Sequence, residues 1–177
     1  MTSSNETELD REALAGLASE VGTSLEGPHD GVGLRIGVAC ARFNGGITQR
    51  MLNGVLEASD RLGVARGDLT VAWVPGAFEL PLACQALARS GEVDAVIALG
   101  AVIRGETGHY DFVAGECARG LQDVSLDSGL PVIFGVLTTD TIPQALERSE
   151  PGSGNKGAEA LETAVEVVRL LRMPPLG

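Results

Sequence analysis

The densest cluster of reactive side chains is Arg104-Gly105-Glu106-Thr107-Gly108-His109-Tyr110-Asp111. It gathers a guanidinium, two glycines, a hydroxyl and one of only two histidines in the chain. Placed in a loop that opens a helix, such a stretch suits an anion held on free backbone N–H groups. A histidine beside the positive end of a helix dipole is biased toward its neutral form, and neutral imidazole is a competent base near pH 7. Simple helix capping explains His109 equally well, and the residues alone leave both readings open.

Three other stretches carry candidate chemistry. In Arg42-Phe43-Asn44-Gly45-Gly46, Phe43 is either a stacking platform for a planar ligand or a plug over the following helix. In the run VPGAFELP at 74–81, Pro75-Gly76 marks a tight turn. Glu79 there either favours a helix start or accepts from ligand hydroxyls. The polar loop from Arg148 to Lys156 begins with a guanidinium suited to phosphate. A helix-terminal charge for Arg148 and a solvated helix start for Lys156 are the competing explanations. Thr138-Thr139-Asp140 reads as a helix cap.

These stretches must be positioned by regular elements. Leu34–Ala41, Leu69–Val74, Ala95–Ile103 and Val132–Leu137 are short and nearly continuously apolar, as strands buried on both faces are. Between them lie helical periods: Ile47, Met51, Val55, Ala58 and Leu62, then Leu80, Ala83, Cys84 and Leu87, then Val113, Cys117, Leu121 and Val124. Pro81 and Pro143 fall early in helices, where proline is tolerated. A last helix spans Lys156 to Arg172, with Asn155 as its N-cap. The alternation predicts an α/β fold, a doubly wound four-stranded parallel sheet with helices on both faces. Ligands bind such sheets at the carboxyl ends of the strands, which is where the stretches at 42–46, 74–81 and 104–111 fall, with the Arg148–Lys156 loop farther on after the fourth strand.

Composition narrows the partners. The chain has 177 residues, 44% hydrophobic and 21% charged, with 13 Lys+Arg against 24 Asp+Glu. A formal charge of −11 disfavours nucleic acid and anionic lipid as partners. Residues 1–30 hold seven of the acids and one base, Arg11. Residues 1–33 therefore read as a mobile acidic arm, with a short helix near 6–21 and a glycine-punctuated linker, ahead of a domain at 34–177. No secretory leader is expected. Cys40, Cys84 and Cys117 suggest no disulfide framework or metal cluster, and fit buried thiols in a reducing, cytoplasmic setting. The GxGxxG fingerprint is absent, and Lys156 is the single lysine.

Taken together, Arg42-Phe43-Asn44, VPGAFELP (74–81), GAVIRGETGHYDFV (100–113), PVIFGVLTT (131–139) and Arg148 to Gly157 resemble the lumazine synthase family from about Leu34 to Arg172. The resemblance implies a flavodoxin-like sheet and a riboflavin-pathway condensation without cofactor or metal. The substrates it implies are 5-amino-6-(D-ribitylamino)uracil and 3,4-dihydroxy-2-butanone 4-phosphate. A non-catalytic lumazine- or flavin-binding or shell-forming protein on the same scaffold is the alternative, and would need damaged proton transfer or phosphate binding.

Site residues carry over by position. Phe43 matches the aromatic that stacks on the pyrimidine. Ala77, Phe78 and Glu79 match the ribityl-binding segment, and Ala101, Val102 and Ile103 the strand end that contacts the pyrimidine. Glu106 and Thr107 match the phosphate-binding turn, with Arg148 as the guanidinium paired to it. His109 matches the proton-transfer residue. Phe134 matches a residue supplied by the neighbouring subunit, and Lys156 a lysine near the same site. Gly108 stands where the family often has a bulkier residue or proline, which predicts a looser loop. The family also implies a homopentamer, or a sixty-subunit shell of pentamers, with riboflavin synthase as a partner. The compact Arg148–Lys156 linker favours the shell, and the long arm opposes it.

Overall fold

The computed structural model describes Leu9 and residues 11–152 and 154–177. The arm's remaining residues, including the first part of its expected helix, and Ser153 lie outside the described residues. The elements are α1 (Arg11–Ala18), β1 (Ile36–Ala41), α2 (Gly45–Leu62), β2 (Leu69–Val74), α3 (Leu80–Arg89), β3 (Ala95–Ile103), α4 (His109–Ser128), β4 (Val132–Thr139), α5 (Ile142–Glu147) and α6 (Lys156–Leu171). Single 3₁₀ turns precede β2 and α3.

The four strands form one parallel sheet in the order β2-β1-β3-β4. Ile36, Val38, Cys40, Ile97 and Leu99 point to one face and pack under α2 and α6. Ala39, Ala41, Val96 and Ala98 point to the other, under α3 and α4. Alternate strand residues feed opposite layers because side chains alternate across a pleated strand. Both central strands are buried almost throughout. The edge strands are not, contrary to the expectation from their apolar runs: Trp73 on β2 is 46% exposed and Phe134 on β4 is 44% exposed. An edge strand has a neighbour on one side only, so composition alone cannot tell it from a central one.

β4 also runs two residues past its apolar stretch, because Thr138 and Thr139 stay in register with Val102 and Ile103. The helix cap expected at Thr138–Asp140 is instead Thr141. Its side chain accepts from the Gln144 N–H while the Gln144 side-chain Oε1 accepts from the Thr141 N–H, a reciprocal capping box.

α2 and α6 approach to backbone contact. A Cβ on Gly54 would collide with the side chain of Asn155, and one on Gly157 with the Met51 carbonyl. Asn155, 1% exposed, fills the notch they leave. Its Oδ1 accepts from the N–H groups of Gly157 (2.9 Å) and Ala158 (3.2 Å). Its Nδ2 lies within hydrogen-bond distance of the carbonyls of Arg50, Ser149 and Glu150.

The segment read as a linker meets the domain from Gly27 onward. Gly27 lies so close to α6 that a Cβ would strike the Glu166 carbonyl. Arg169 donates to the carbonyls of Asp30 and Val32, both at 2.7 Å, and Gly31 N–H donates to the Leu62 carbonyl.

Two outcomes follow. Asn155→Ala should lower stability by about 2–4 kcal/mol, since it removes a cap and strands buried carbonyls; an unmoved urea-unfolding midpoint would contradict this. Burial pushes the thiols of Cys40 and Cys84 up to about 12, with the neighbouring thiols adding to the shift at Cys84, and burial pushes Cys117 to about 11. Raised acid groups stay neutral in the fold while the unfolded chain ionises them, so stability is full below about pH 9 and falls between about 9 and 12. A thiol reagent at pH 8 should react with none of the three in the native protein and with all three after denaturation.

Candidate active site

The chain leaves β1 toward β2 on one side, while β3 and β4 lie on the other. The crossovers therefore diverge above the adjoining carboxyl ends of β1 and β3, the position where such sheets open a crevice. A cleft of about 660 Å³ lies there.

Its first wall is the turn after β1. Arg42 and Phe43 donate their N–H groups to the carbonyls of Val74 and Pro75, both at 2.9 Å. Asn44 has φ 55°, the sole positive value at a non-glycine among the described residues. Its amide donates to the Ala101 carbonyl at 2.8 Å. The turn is thus pinned to the ends of β2 and β3 together. Asparagine is among the few residues that tolerate this backbone region. Phe43 is left 71% exposed, its ring displayed at the cleft rather than plugged over α2.

Ala77, Phe78 and Glu79 form the second wall, in the 3₁₀ turn between β2 and α3. One Glu79 oxygen accepts from the Gly76 N–H at 2.9 Å. A carboxylate has about four acceptor sites, so Glu79 can close its turn and still take ligand hydroxyls. Ala101, Val102 and Ile103 form the floor.

The third wall is the loop after β3. Thr107 and His109 line the cleft, and the Thr107 hydroxyl accepts from the His109 N–H at 3.4 Å. His109 is the first residue of α4 and is exposed. Glu106 is exposed on the same loop but is not among the lining residues. Arg104 does not present its charge to an anion on this loop. Its guanidinium meets Asp140 (3.0 Å) and Asp111 (3.3 Å) and covers the Tyr110 ring.

The remaining candidates lie elsewhere. Phe134, Arg148 and Lys156 line a second cleft of about 400 Å³ beside the open edge of β4, and none of the described residues lines both clefts. Arg148 caps the end of α5 and donates to the Gln144 carbonyl at 3.1 Å. Lys156 is paired with Glu159 at 2.6 Å. The Lys156 N–H donates to the Arg148 carbonyl at 2.9 Å, so one hydrogen bond closes the loop between the two cations.

The groups are divided by chemistry. Among the described residues, the first cleft holds Phe43, Phe78, Tyr110 and Phe112 with Glu79 and His109, and no lysine or arginine lines it. The second holds two fixed cations. The sequence singled out neither Tyr110 and Phe112, which line the first cleft, nor Asn44, which pins its wall. Asn44 stood beside Phe43 in a quoted motif, but nothing in its spacing tells that its amide reaches a carbonyl 57 positions on.

A family model described as 6,7-dimethyl-8-ribityllumazine synthase matches residues 33–172. A protein of Protochlamydia amoebophila (strain UWE25) bearing that same name is 54% identical over 136 residues, 77% of this chain and 79% of the relative.

Gly108 has φ −67°, and a Cβ there would meet nothing within 4 Å. That φ is the one proline imposes. Gly108→Pro should therefore raise the melting temperature by roughly 1–4 °C through a less entropic unfolded chain. A fall would show that the Gly108 N–H or the Thr107 backbone needs the freedom that proline removes.

Proposed function

The chain belongs to the 6,7-dimethyl-8-ribityllumazine synthase family, enzymes of riboflavin biosynthesis, and we propose that its two clefts are the halves of one catalytic site shared between neighbouring copies. The division of groups carries this reading: Phe43, Glu79 and the proton carrier lie in one cleft, and the fixed cations lie with Phe134 in the other. Joining the first cleft of one copy to the β4 edge of the next supplies all of them.

In that arrangement the pyrimidine of 5-amino-6-(D-ribitylamino)uracil stacks on Phe43 over the ends of β1 and β3. Its ribityl hydroxyls run along Ala77–Glu79. The phosphate of 3,4-dihydroxy-2-butanone 4-phosphate sits on the Glu106–Thr107 turn. Arg148, Lys156 and Phe134 of the adjoining copy close over it. The 5-amino nitrogen adds to the ketone and water leaves, giving an imine. A proton then leaves the adjacent carbon as the C–O bond to phosphate breaks. The enol so formed takes a proton on its terminal carbon to become a methyl ketone, the ribitylamino nitrogen adds to that carbonyl to close the ring, and a second water departs to give the lumazine.

His109, exposed on the cleft wall, is the group able to move these protons, a role worth roughly 10²–10⁴ in rate. Arg148 steadies the departing phosphate, since a guanidinium matches it with two parallel hydrogen bonds. Holding both reactants side by side supplies much of the remaining acceleration.

The assembly we infer is the homopentamer, with the compact Arg148–Lys156 loop in favour of pentamers joined into a shell. The half-exposed Trp73 and Phe134 on the two sheet edges support burial against other copies. Riboflavin synthase is the partner that would consume the product. The three buried free thiols fit a cytoplasmic setting.

His109→Gln should lower kcat by roughly 10²–10⁴ without loss of folding. Arg148→Ala should mainly raise the KM for the butanone phosphate. Oligomers reassembled from a mixture of the two variant chains should regain part of the lumazine-forming rate, because some junctions then pair an intact His109 cleft with an intact Arg148. No recovery in verified mixed oligomers would rule out a site shared in this way.

A further inference from the structure

The loop 105–108 has few attachments of its own. Glu106, Thr107 and Gly108 are exposed, and a Cβ on Gly105 or Gly108 would meet nothing within 4 Å. Its place is therefore set at its two ends, β3 and the first turn of α4. Arg104 joins those ends. Its N–H donates to the Thr139 carbonyl at 2.9 Å, which continues the β3–β4 pairing by one residue. Its Nη1 donates to Asp111 Oδ1 at 3.3 Å and its Nε to Asp140 Oδ1 at 3.0 Å. Its guanidinium carbon lies 4.0 Å from the centroid of the Tyr110 ring. Tyr110 in turn packs on the α3–α4 core and lines the first cleft. Arg104 thus reaches β4 through its backbone N–H, while its planar cation touches the residue after β4 and two consecutive residues of the α4 first turn.

We propose that Arg104 is a positioning residue for the phosphate of the butanone substrate. It clamps the loop that carries Thr107 and His109, and it offsets the charge of Asp111 and Asp140 beside the turn where the phosphate is placed. This rests on the placing of that phosphate on Glu106–Thr107 given above. Without Arg104 two carboxylates would face the anion with no cation between them, and the loop ends would lose their common anchor. Lysine could return the charge but neither the two-pronged donor geometry nor the flat surface for Tyr110.

The test is steady-state kinetics on the assembled enzyme with each substrate varied in turn, together with competitive inhibition by inorganic phosphate. Arg104→Met should raise the KM for the butanone phosphate by about 10–100-fold and weaken phosphate inhibition in parallel. The KM for the pyrimidine should hold. Arg104→Lys should recover part of the loss. Asp140→Asn removes one carboxylate and weakens one anchor while leaving Arg104 in place, and should also shift the KM for the butanone phosphate, upward where the clamp dominates and downward where the freed guanidinium does; it reads the effect even where Arg104→Met does not fold. Thr107→Val is the control for the placing of the phosphate. A shift with Thr107→Val but none with the Arg104 or Asp140 variants overturns the role of Arg104. No shift in any of them overturns the phosphate placement and this inference with it. An equal change in both KM values, or a lowered melting temperature with kinetics unaltered, reduces Arg104 to a structural residue and also overturns the proposal.

Discussion

The amide of Asn155, sealed between α2 and α6, serves five backbone groups: two N–H groups that begin α6, and the carbonyls of Arg50, Ser149 and Glu150. It fits only because Gly54 and Gly157 lack side chains. Much of the molecule follows from this contact. It brings α6 close enough to α2 to seal one face of the sheet, and it fixes the loop that leads from α5 back to α6. Arg148 and Lys156 stand at the two ends of that loop, and the Lys156 N–H donates to the Arg148 carbonyl across them. The buried neutral amide therefore decides where the exposed cations of the second cleft lie.

The first cleft depends on a comparable economy of fixings. Three loops end above β1 and β3, and each is tied by a short-range contact whose partner lies far away in sequence. Asn44 reaches Ala101, Arg104 reaches Asp140, and the backbone of Arg42 and Phe43 reaches the end of β2. The side chains left exposed, Phe43, Glu79 and His109, sit on backbone that is held even though they are not. Such an arrangement keeps a binding surface open to its ligand without leaving its walls loose.

Periodicity carried most of the fold in the sequence. β2 and β3 run over the residues their apolar stretches mark, and Asn155, Pro81 and Pro143 sit at helix starts as their chemistry demands. What periodicity lacks is knowledge of the neighbour. The apolar run of β2 does not show that its outer side is open, and that of β4 stops at Leu137 although pairing with β3 carries the strand to Thr139. At the site, residue type drew attention to Phe43, Glu79, His109 and Arg148, yet not to their division between two clefts. Arg104 was legible as a cation in an anion-suited loop; its engagement by Asp111 and Asp140 depends on a partner 36 positions away. The close approach of Gly27 to α6 was hidden for a like reason, since glycine in a polar stretch reads as flexibility whether or not another backbone lies against it.

Lys156 is the chain's one lysine, and it stands on the rim of the second cleft in contact with Glu159. Reagents that acylate side-chain amines therefore have a single address on each copy. A label on that side chain needs no engineered residue, and the α-amino group is the one other amine to be told apart from it. Its rate of attachment reports whether that rim is covered, by a bound anion or by an adjoining copy, while the cleft that holds His109 stays silent to the same reagent. The scarcity of lysine thus gives the protein a built-in chemical handle on the second cleft.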